Sequence, residues 1–345
     1  MKTTSHIPST LKEVAAAAGV SVSTASRALT GKAKRYRISQ ATEQAVQQAA
    51  QRLGFQPSHV AQSLRSQRTG LLGVVVPDVA NPFFAAIARE ITLAAEENGF
   101  SVLLADSRDS SDTEKCLVGQ LWSRRIEALL VCPVGLSSDH LAELDAAGLP
   151  VVLVDRGFSD SRIVTVTSDH RRGAAELTRL LTTAGHRQVG VLQGLVGTLP
   201  NDERLAGIRQ ALRSAGIELD PRFVRGDQFS ESAGYEATRW FIEHHPEITA
   251  LIGLSNQNSL GALRAAAEFG RRIPDDLSLL TFDDHPFADF LATPLSTACQ
   301  DVAELGRLAA SLIVERIKSG KRPRKKLHRV PVQVIERASV APAKH

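Results

Sequence analysis

Apolar residues recur along this chain with two different periods, and the change falls near residue 70. Before it the spacing is helical. Thr10-Leu-Lys-Glu13 has the form of a capping box, in which the Thr10 hydroxyl accepts from the Glu13 amide and the Glu13 carboxylate accepts from the Thr10 amide. It predicts a helix whose Val14, Ala15, Ala17 and Ala18 supply a small-residue face. Gly19 ends that helix in a tight turn, and Ser21 caps a second one from Val22 to Leu29. A third is predicted from Ser39 to about Leu53, with Ala41, Ala45, Val46, Ala49 and Leu53 as its core face. The first two form a helix-turn-helix. The second offers Val22, Ser23, Thr24 and Arg27, a mixture of apolar, hydroxyl and guanidinium groups of the kind that reads base edges in a major groove.

From Leu71 the period changes. Leu71–Pro77, Val102–Asp106, Ala128–Pro133 and Pro150–Asp155 are apolar runs without polar alternation, the mark of parallel strands covered on both faces. Helical stretches at Pro82–Asn98, Asp112–Arg124 and Ser138–Ala147 separate them. A second set follows, at Gln188–Gly194, Asn201–Ala215, Glu231–His244, Ala250–Leu254, Gln257–Gly270 and Leu277–Asp283. Repeated βα crossover predicts doubly wound sheets. A stretch of about 270 residues is long for one sheet, so two similar subdomains flanking a cleft are expected. The end, RVPVQVIERASVAPAKH, reads as a strand and a tail, with no leucine heptad for a tetramer tether.

Charge is distributed unevenly. Residues 1–70 hold ten Lys or Arg against two Asp or Glu, whereas the remainder holds 31 against 35, so the +4 of the whole chain is a basic module on a weakly acidic body. That pattern fits a polyanion partner at one end. The opening MKTTSHIPST has no apolar h-region, no run reaches membrane-spanning length, and Cys116, Cys132 and Cys299 are widely spaced in apolar sequence. A cytoplasmic protein with reduced core thiols and no membrane partner is expected, not a secreted binding protein.

Three stretches carry a resemblance to a known family: TLKEVAAAAGVSVSTASRAL at 10–29, SQATEQAVQQAAQRLGFQPSHVAQSLRSQRTGLLGVVVPDVANPFF at 39–84, and FDD with STACQD near 282–301. Over essentially the whole chain they resemble the LacI family of bacterial transcription regulators. The resemblance implies an all-α helix-turn-helix headpiece at 1–56, a hinge helix or linker at 57–69, and an α/β periplasmic-binding-protein-like core of two doubly wound subdomains at 70–340. It sets crossovers near 168, 299 and 327, giving one subdomain of about 70–168 and 300–327 and another of about 169–299 and 328–340. It also implies a homodimer on a palindromic operator of double-stranded DNA, responding to a small carbohydrate-like effector. In such a dimer Leu64 would wedge into the minor groove; its alternative is linker packing.

The loop GKAKRYRI at 31–38 is longer than the usual family loop and resembles that of the fructose-repressor subgroup. Lys32, Lys34, Arg35 and Arg37 would lie along phosphates, and Tyr36 would pack under the third helix. Positions matching effector-binding ones in the family are Asp78, Phe83, Asp155, Arg204, Phe229, Asn256, Asp283 and Gln300. Carboxylates and amides suit vicinal hydroxyls, and Phe rings suit a sugar's C–H face. Other roles stay open: Asp155 and Asp283 as helix caps, Arg204 as a helix ion pair, Phe83 and Phe229 as core. Gln257 stands where the family commonly has Asp, and Arg156, His170, Arg171 and His285 make the rim less acidic. The expected effector is therefore a sugar acid such as gluconate or 2-ketogluconate. The alternative is a fructose-repressor-type catabolite regulator sensing a sugar phosphate.

An enzyme is the competing class. Gly194-Leu-Val-Gly197 is only a fragment of a phosphate-cradling loop. Asp283-Asp284-His285 is a single loop tripeptide, whereas metal ligands converge from several elements. No nucleophile elbow occurs. No cofactor, no metal and no sugar-modifying activity are expected.

Overall fold

The computed structural model describes residues 10–55, 68–158 and 161–344. They fall into two compact units, divided between Thr69 and Gly70. The expectation for Leu64 lies outside the described residues.

In the first unit, α1 (Leu11–Ala17), α2 (Val22–Leu29) and α3 (Gln40–Arg52) pack together. Both arms of the Thr10–Glu13 capping box are made, the Glu13 carboxylate accepting from the Thr10 amide at 2.7 Å. Ser21 and Ser39 cap α2 and α3 through the amides of Thr24 and Thr42. The core is Val14, Ala15, Ala25, Ala28, Val46, Ala49 and Ala50. The face of α3 therefore runs through Val46, Ala49 and Ala50, whereas Ala41, Ala45 and Leu53 are exposed. The two stripes share Val46 and Ala49, and the buried one continues through Ala50 where Ala45 and Leu53 were expected.

The second unit holds two six-stranded sheets. The first contains β1 (Leu71–Val76), β2 (Ser101–Asp106), β3 (Ala128–Val131), β4 (Val151–Val154), β5 (Val164–Ser168) and β11 (Leu327–Val330), all paired in parallel. The second contains β6 (Val189–Leu192), β7 (Val224–Arg225), β8 (Ala250–Gly253), β9 (Ser278–Phe282), β10 (Ser296–Gln300) and β12 (Val332–Ile335). Among the described strands only the β10–β12 pair is antiparallel.

Helices α4 (Pro82–Glu97), α5 (Ser111–Ser123), α6 (Asp139–Ala146) and α11 (Val302–Ser319) accompany the first sheet. Val74 and Val76 of β1 pack with α4 and α11, whereas Val75 packs with α5 and α6 residues. Successive valines thus enter opposite apolar layers, which is why the strand shows no polar alternation. Helices α7 (His170–Thr183), α8 (Leu199–Ser214), α9 (Glu231–His244) and α10 (Asn256–Glu268) accompany the second sheet over one apolar core.

The chain leaves the first sheet after Ser168, returns to it after Gln300 and leaves again at Pro331. The single strand read in RVPVQVI is thus two strands on different sheets, split at a proline that cannot donate to a ladder. Cys116 is exposed on α5, not in the core; Cys132 is buried and Cys299 half-buried. None of the described helices is long and apolar enough to cross a membrane.

Helices α9 and α10 cross with backbone against backbone. A Cβ at Gly261 would collide with the Glu231 carbonyl oxygen and the Tyr235 amide, and one at Gly234 with the Asn258 carbonyl. No flexible side chain can give way there, so Gly261→Ala should cost about 3 kcal/mol. Thermal unfolding should shift down by several degrees; an unchanged midpoint would show that the crossing yields.

Candidate functional sites

On the first unit, Val22, Ser23 and Arg27 share the exposed side of α2. Thr24 is half-buried, with its hydroxyl 2.8 Å from that of Ser21. Lys32, Lys34, Arg35 and Arg37 are exposed around the 3-10 turn Lys34–Tyr36, anchored by buried Ala33. Tyr36 is not under α3. Its ring lies beneath the Arg27 guanidinium, 4.0 Å from ring centroid to guanidinium carbon, because the extended turn carries it back toward α2.

On the second unit, a cavity of about 130 Å³ is lined from both sheets. Asp78, Asn81, Phe83, Phe84, Asp109, Asp155 and Arg156 come from segments of the first half, and Arg204, Phe229, Glu231, Asn256, Gln257 and Asp283 from the second. These positions follow the carboxyl ends of β1, β2, β4, β8 and β9, where open α/β sheets gather ligand-binding loops. The Asn256 amide spans the cavity, donating to Asn81 Oδ1 at 3.1 Å, while Asn81 also caps α4 at Phe83.

Asp155 and Asp283 cap no described helix. Both are buried, with positive φ values of 63° and 66°, a conformation that costs a non-glycine residue about 1 kcal/mol or more and is kept where surrounding structure enforces it. Arg204, 3 % exposed, donates from Nε to His170 Nδ1 at 3.2 Å and from Nη1 to the Leu254 carbonyl. Its Nη2 lies 4.0 Å from Asp283, and its guanidinium covers the Phe282 ring. Arg156 pairs with Asp109 at 3.3 Å and approaches the Phe84 and Phe229 rings.

Desolvation dominates the electrostatics. Burial raises the Asp155 carboxyl to about 6, opposed by Arg204 and reinforced by Asp283. Burial, aided by Arg204, pushes His170 well below its ordinary range. Asp155 Oδ1 is buried without a hydrogen-bond partner. A polar atom in that position is unusual unless something else completes it.

Residues 10–58 match the family model described as bacterial regulatory proteins of the lacI family. Residues 69–337 match that of periplasmic binding proteins and the sugar-binding domain of the LacI family. The chain belongs to the LacI family. The HTH-type transcriptional regulator CelR of Thermobifida fusca is 32 % identical over 89 % of this chain and 92 % of its own length. The transcriptional repressor CytR of Escherichia coli K12 is 31 % identical, over 89 % of each. Among solved structures, CelR in complex with cellobiose is similar with a TM-score of 0.73 at 30 % identity, covering 96 % of this chain and 99 % of that one. The lac repressor dimer on operator with an anti-inducer gives 0.84 at 27 %, covering 97 % and 99 %. This LacI-family chain is a DNA-binding transcriptional regulator, not an enzyme.

Seven of the eight positions named from sequence in this LacI-family core line the cavity: Asp78, Phe83, Asp155, Arg204, Phe229, Asn256 and Asp283. Gln300 stands behind them, donating from Nε2 to Asp283. Arg156 and Gln257 are in the lining, but His170 and Arg171 are not rim cations: His170 is wholly buried, and Arg171 bonds Gln210 on the outside of α8. Sequence reading missed Asn81, Phe84, Asp109 and Glu231, whose only signal was proximity to a strand end. Gly194 and Gly197 form no phosphate cradle, because their amides already donate to Asn201 and Asp202.

The raised Asp155 carboxyl fixes the sign of a pH effect. Its folded value of about 6 lies above its ordinary 3.8, so the stabilisation is fully present below pH 3.8 and is lost as pH rises through 6. At pH 7.5 Asp155 is a buried carboxylate whose desolvation outweighs the attraction of Arg204 and Arg156. Asp155→Asn should then be more stable than wild type by on the order of 3 kcal/mol and unfold at higher temperature, with the gap closing near pH 4. A gap independent of pH would show that Asp155 does not titrate in this range.

Proposed function

We propose that this regulator is a repressor that binds a palindromic operator as a homodimer, through α2 and the basic loop 32–37, and that a small neutral saccharide in the core cavity modulates that binding. The observation that carries the ligand class is the lining's composition. Five carboxyl groups, Asp78, Asp109, Asp155, Glu231 and Asp283, face two guanidinium groups, Arg156 and Arg204. Carboxylates accept from hydroxyls without needing a charged ligand, and one Asp155 oxygen has no donor. The Phe83, Phe84 and Phe229 rings supply apolar surface for C–H groups. The cavity lies well below the roughly 300–1,000 Å³ of drug-sized sites, which suits a small ligand. The relative solved with cellobiose supports the saccharide class, and the relative solved as a dimer on operator supports the assembly. A phosphate dianion would face the carboxylates at close range, which disfavours a sugar phosphate.

A sugar acid remains a second reading, carried by Arg156. Arg204 is committed to His170, Leu254 and Asp283, so Arg156, paired with Asp109 at 3.3 Å and flanked by rings, is the cation that would take a carboxylate. Calorimetry with hexoses, sugar acids and sugar phosphates separates the readings. A neutral sugar should bind, Arg156→Ala should change its affinity by only a few-fold, and Asp155→Asn should weaken it at pH 7.5. Binding of sugar acids alone, abolished by Arg156→Ala, would transfer the assignment to them.

On DNA, Arg27→Ala should cost roughly 1–3 kcal/mol at one base pair per half-site. Lys34→Ala should weaken all sequences alike and reduce the salt slope by roughly one per protomer. Gel shifts in which Arg27→Ala keeps full base preference would place the reading surface elsewhere.

A further inference from the structure

Tyr36 has no core to serve. It is 44 % exposed, yet its ring is held at a defined place by the backbone around it. The Lys32 amide donates to the Arg27 carbonyl at 3.0 Å, the Tyr36 amide to the Lys32 and Ala33 carbonyls at 3.2 Å, and the Ile38 amide to the Ala33 carbonyl at 3.0 Å. Ala33, 2 % exposed, pins the turn to the headpiece. Arg37 closes it in the left-handed region, φ 52°. The ring therefore meets Arg27 because the loop backbone puts it there, with the guanidinium carbon 4.0 Å from its centroid.

A guanidinium has two faces and an edge. Stacking on an aromatic ring uses a face, whereas reading guanine uses in-plane N–H groups on the edge. The two can operate together, so the stack need not break when the edge meets a base. An unsupported arginine loses rotamer freedom on docking; one already held on a ring has lost part of it beforehand, which favours the pairing that needs that geometry. The geometry points to Tyr36 as a positioning residue for base discrimination by Arg27, a role that rests on the reading of α2 as the DNA-contacting helix. The ring carries the effect, and the stack makes no use of the hydroxyl.

The test uses the full chain, the palindromic duplex that wild type selects from a random library, and that duplex with each base pair of a half-site replaced in turn. The base pair read by Arg27 is the one whose preference disappears in Arg27→Ala. Tyr36→Ala should lower preference at that base pair about threefold per half-site and leave the salt slope unchanged, since no charge is lost. Tyr36→Phe should restore the preference. In an Arg27→Ala background, Tyr36→Ala should have no further effect on it. A uniform loss across all duplexes, or Tyr36→Phe as impaired as Tyr36→Ala, would overturn the proposal, the latter by assigning the contact to the hydroxyl. Failure of wild type to select any palindrome would sink the DNA reading itself, and this inference with it.

Discussion

Arg204 brings a full positive charge into the core with almost none of its surface exposed, and the cavity is arranged around it. Its guanidinium meets the end of β8 at Leu254, the end of β9 at Phe282 and Asp283, and the start of α7 at His170. Those contacts fix its orientation. They also explain why His170 must be neutral: its Nδ1 accepts from Arg204 Nε and so carries no proton, and burial with Arg204 holds the imidazole well below its ordinary range. Remove the guanidinium and Asp155 and Asp283 become buried carboxylates without their nearest cation, a costlier state than the pair.

That arrangement was partly legible from residues alone. Apolar runs without alternation identified most strands of both sheets, because a parallel strand covered on both faces leaves a strong local signal. The strands β5, β7, β10 and β11 were harder; Ser296–Gln300 of β10 carries Ser, Thr and Gln among its five residues. Val164–Ser168 alternates Val with Thr and Ser, the two residues of β7 are too few to form a run, and β11 is an edge strand of mixed polarity. In the cavity, Asp155 and Asp283 were visible as acids ending apolar runs. Asp109 and Glu231 were not, since their place in the lining depends on how two sheets face each other, which no local pattern encodes. Tyr36 is the opposite case: an aromatic residue in a basic loop invites a core role, and only the turn geometry shows that its partner is a charge.

The two units treat charge in contrasting ways. In the first, Lys32, Lys34, Arg35 and Arg37 stay exposed on a three-helix core made almost wholly of Ala and Val, so the small core is left free of polar burial and the cations are left to solvent or to a polyanion. In the second, acids are buried at positive φ beside a buried arginine. Strain and desolvation both oppose folding there, and a well-packed core of two six-stranded sheets can carry them. An arrangement that weakens the empty protein is what a ligand that completes it can relieve, because the same hydroxyls that bind would supply the missing donors.

The chain passes between the sheets three times, and every passage is wired to this polar cluster. His170, just after the first, accepts from Arg204 and contacts the Thr167 hydroxyl, which donates to the Asp155 carbonyl. Gln300, at the second, holds Asp283. Arg329, just before the third, makes two bonds to Glu203, at 2.6 and 2.5 Å. Glu203 precedes Arg204 on α8, so one turn of one helix faces the cavity with one residue and grips the opposite sheet with the next. Arg204 is held by partners of its own half, whereas its neighbour Glu203 reaches the other sheet, so any rotation of the two halves about their connections requires the Glu203–Arg329 pair to slide or break.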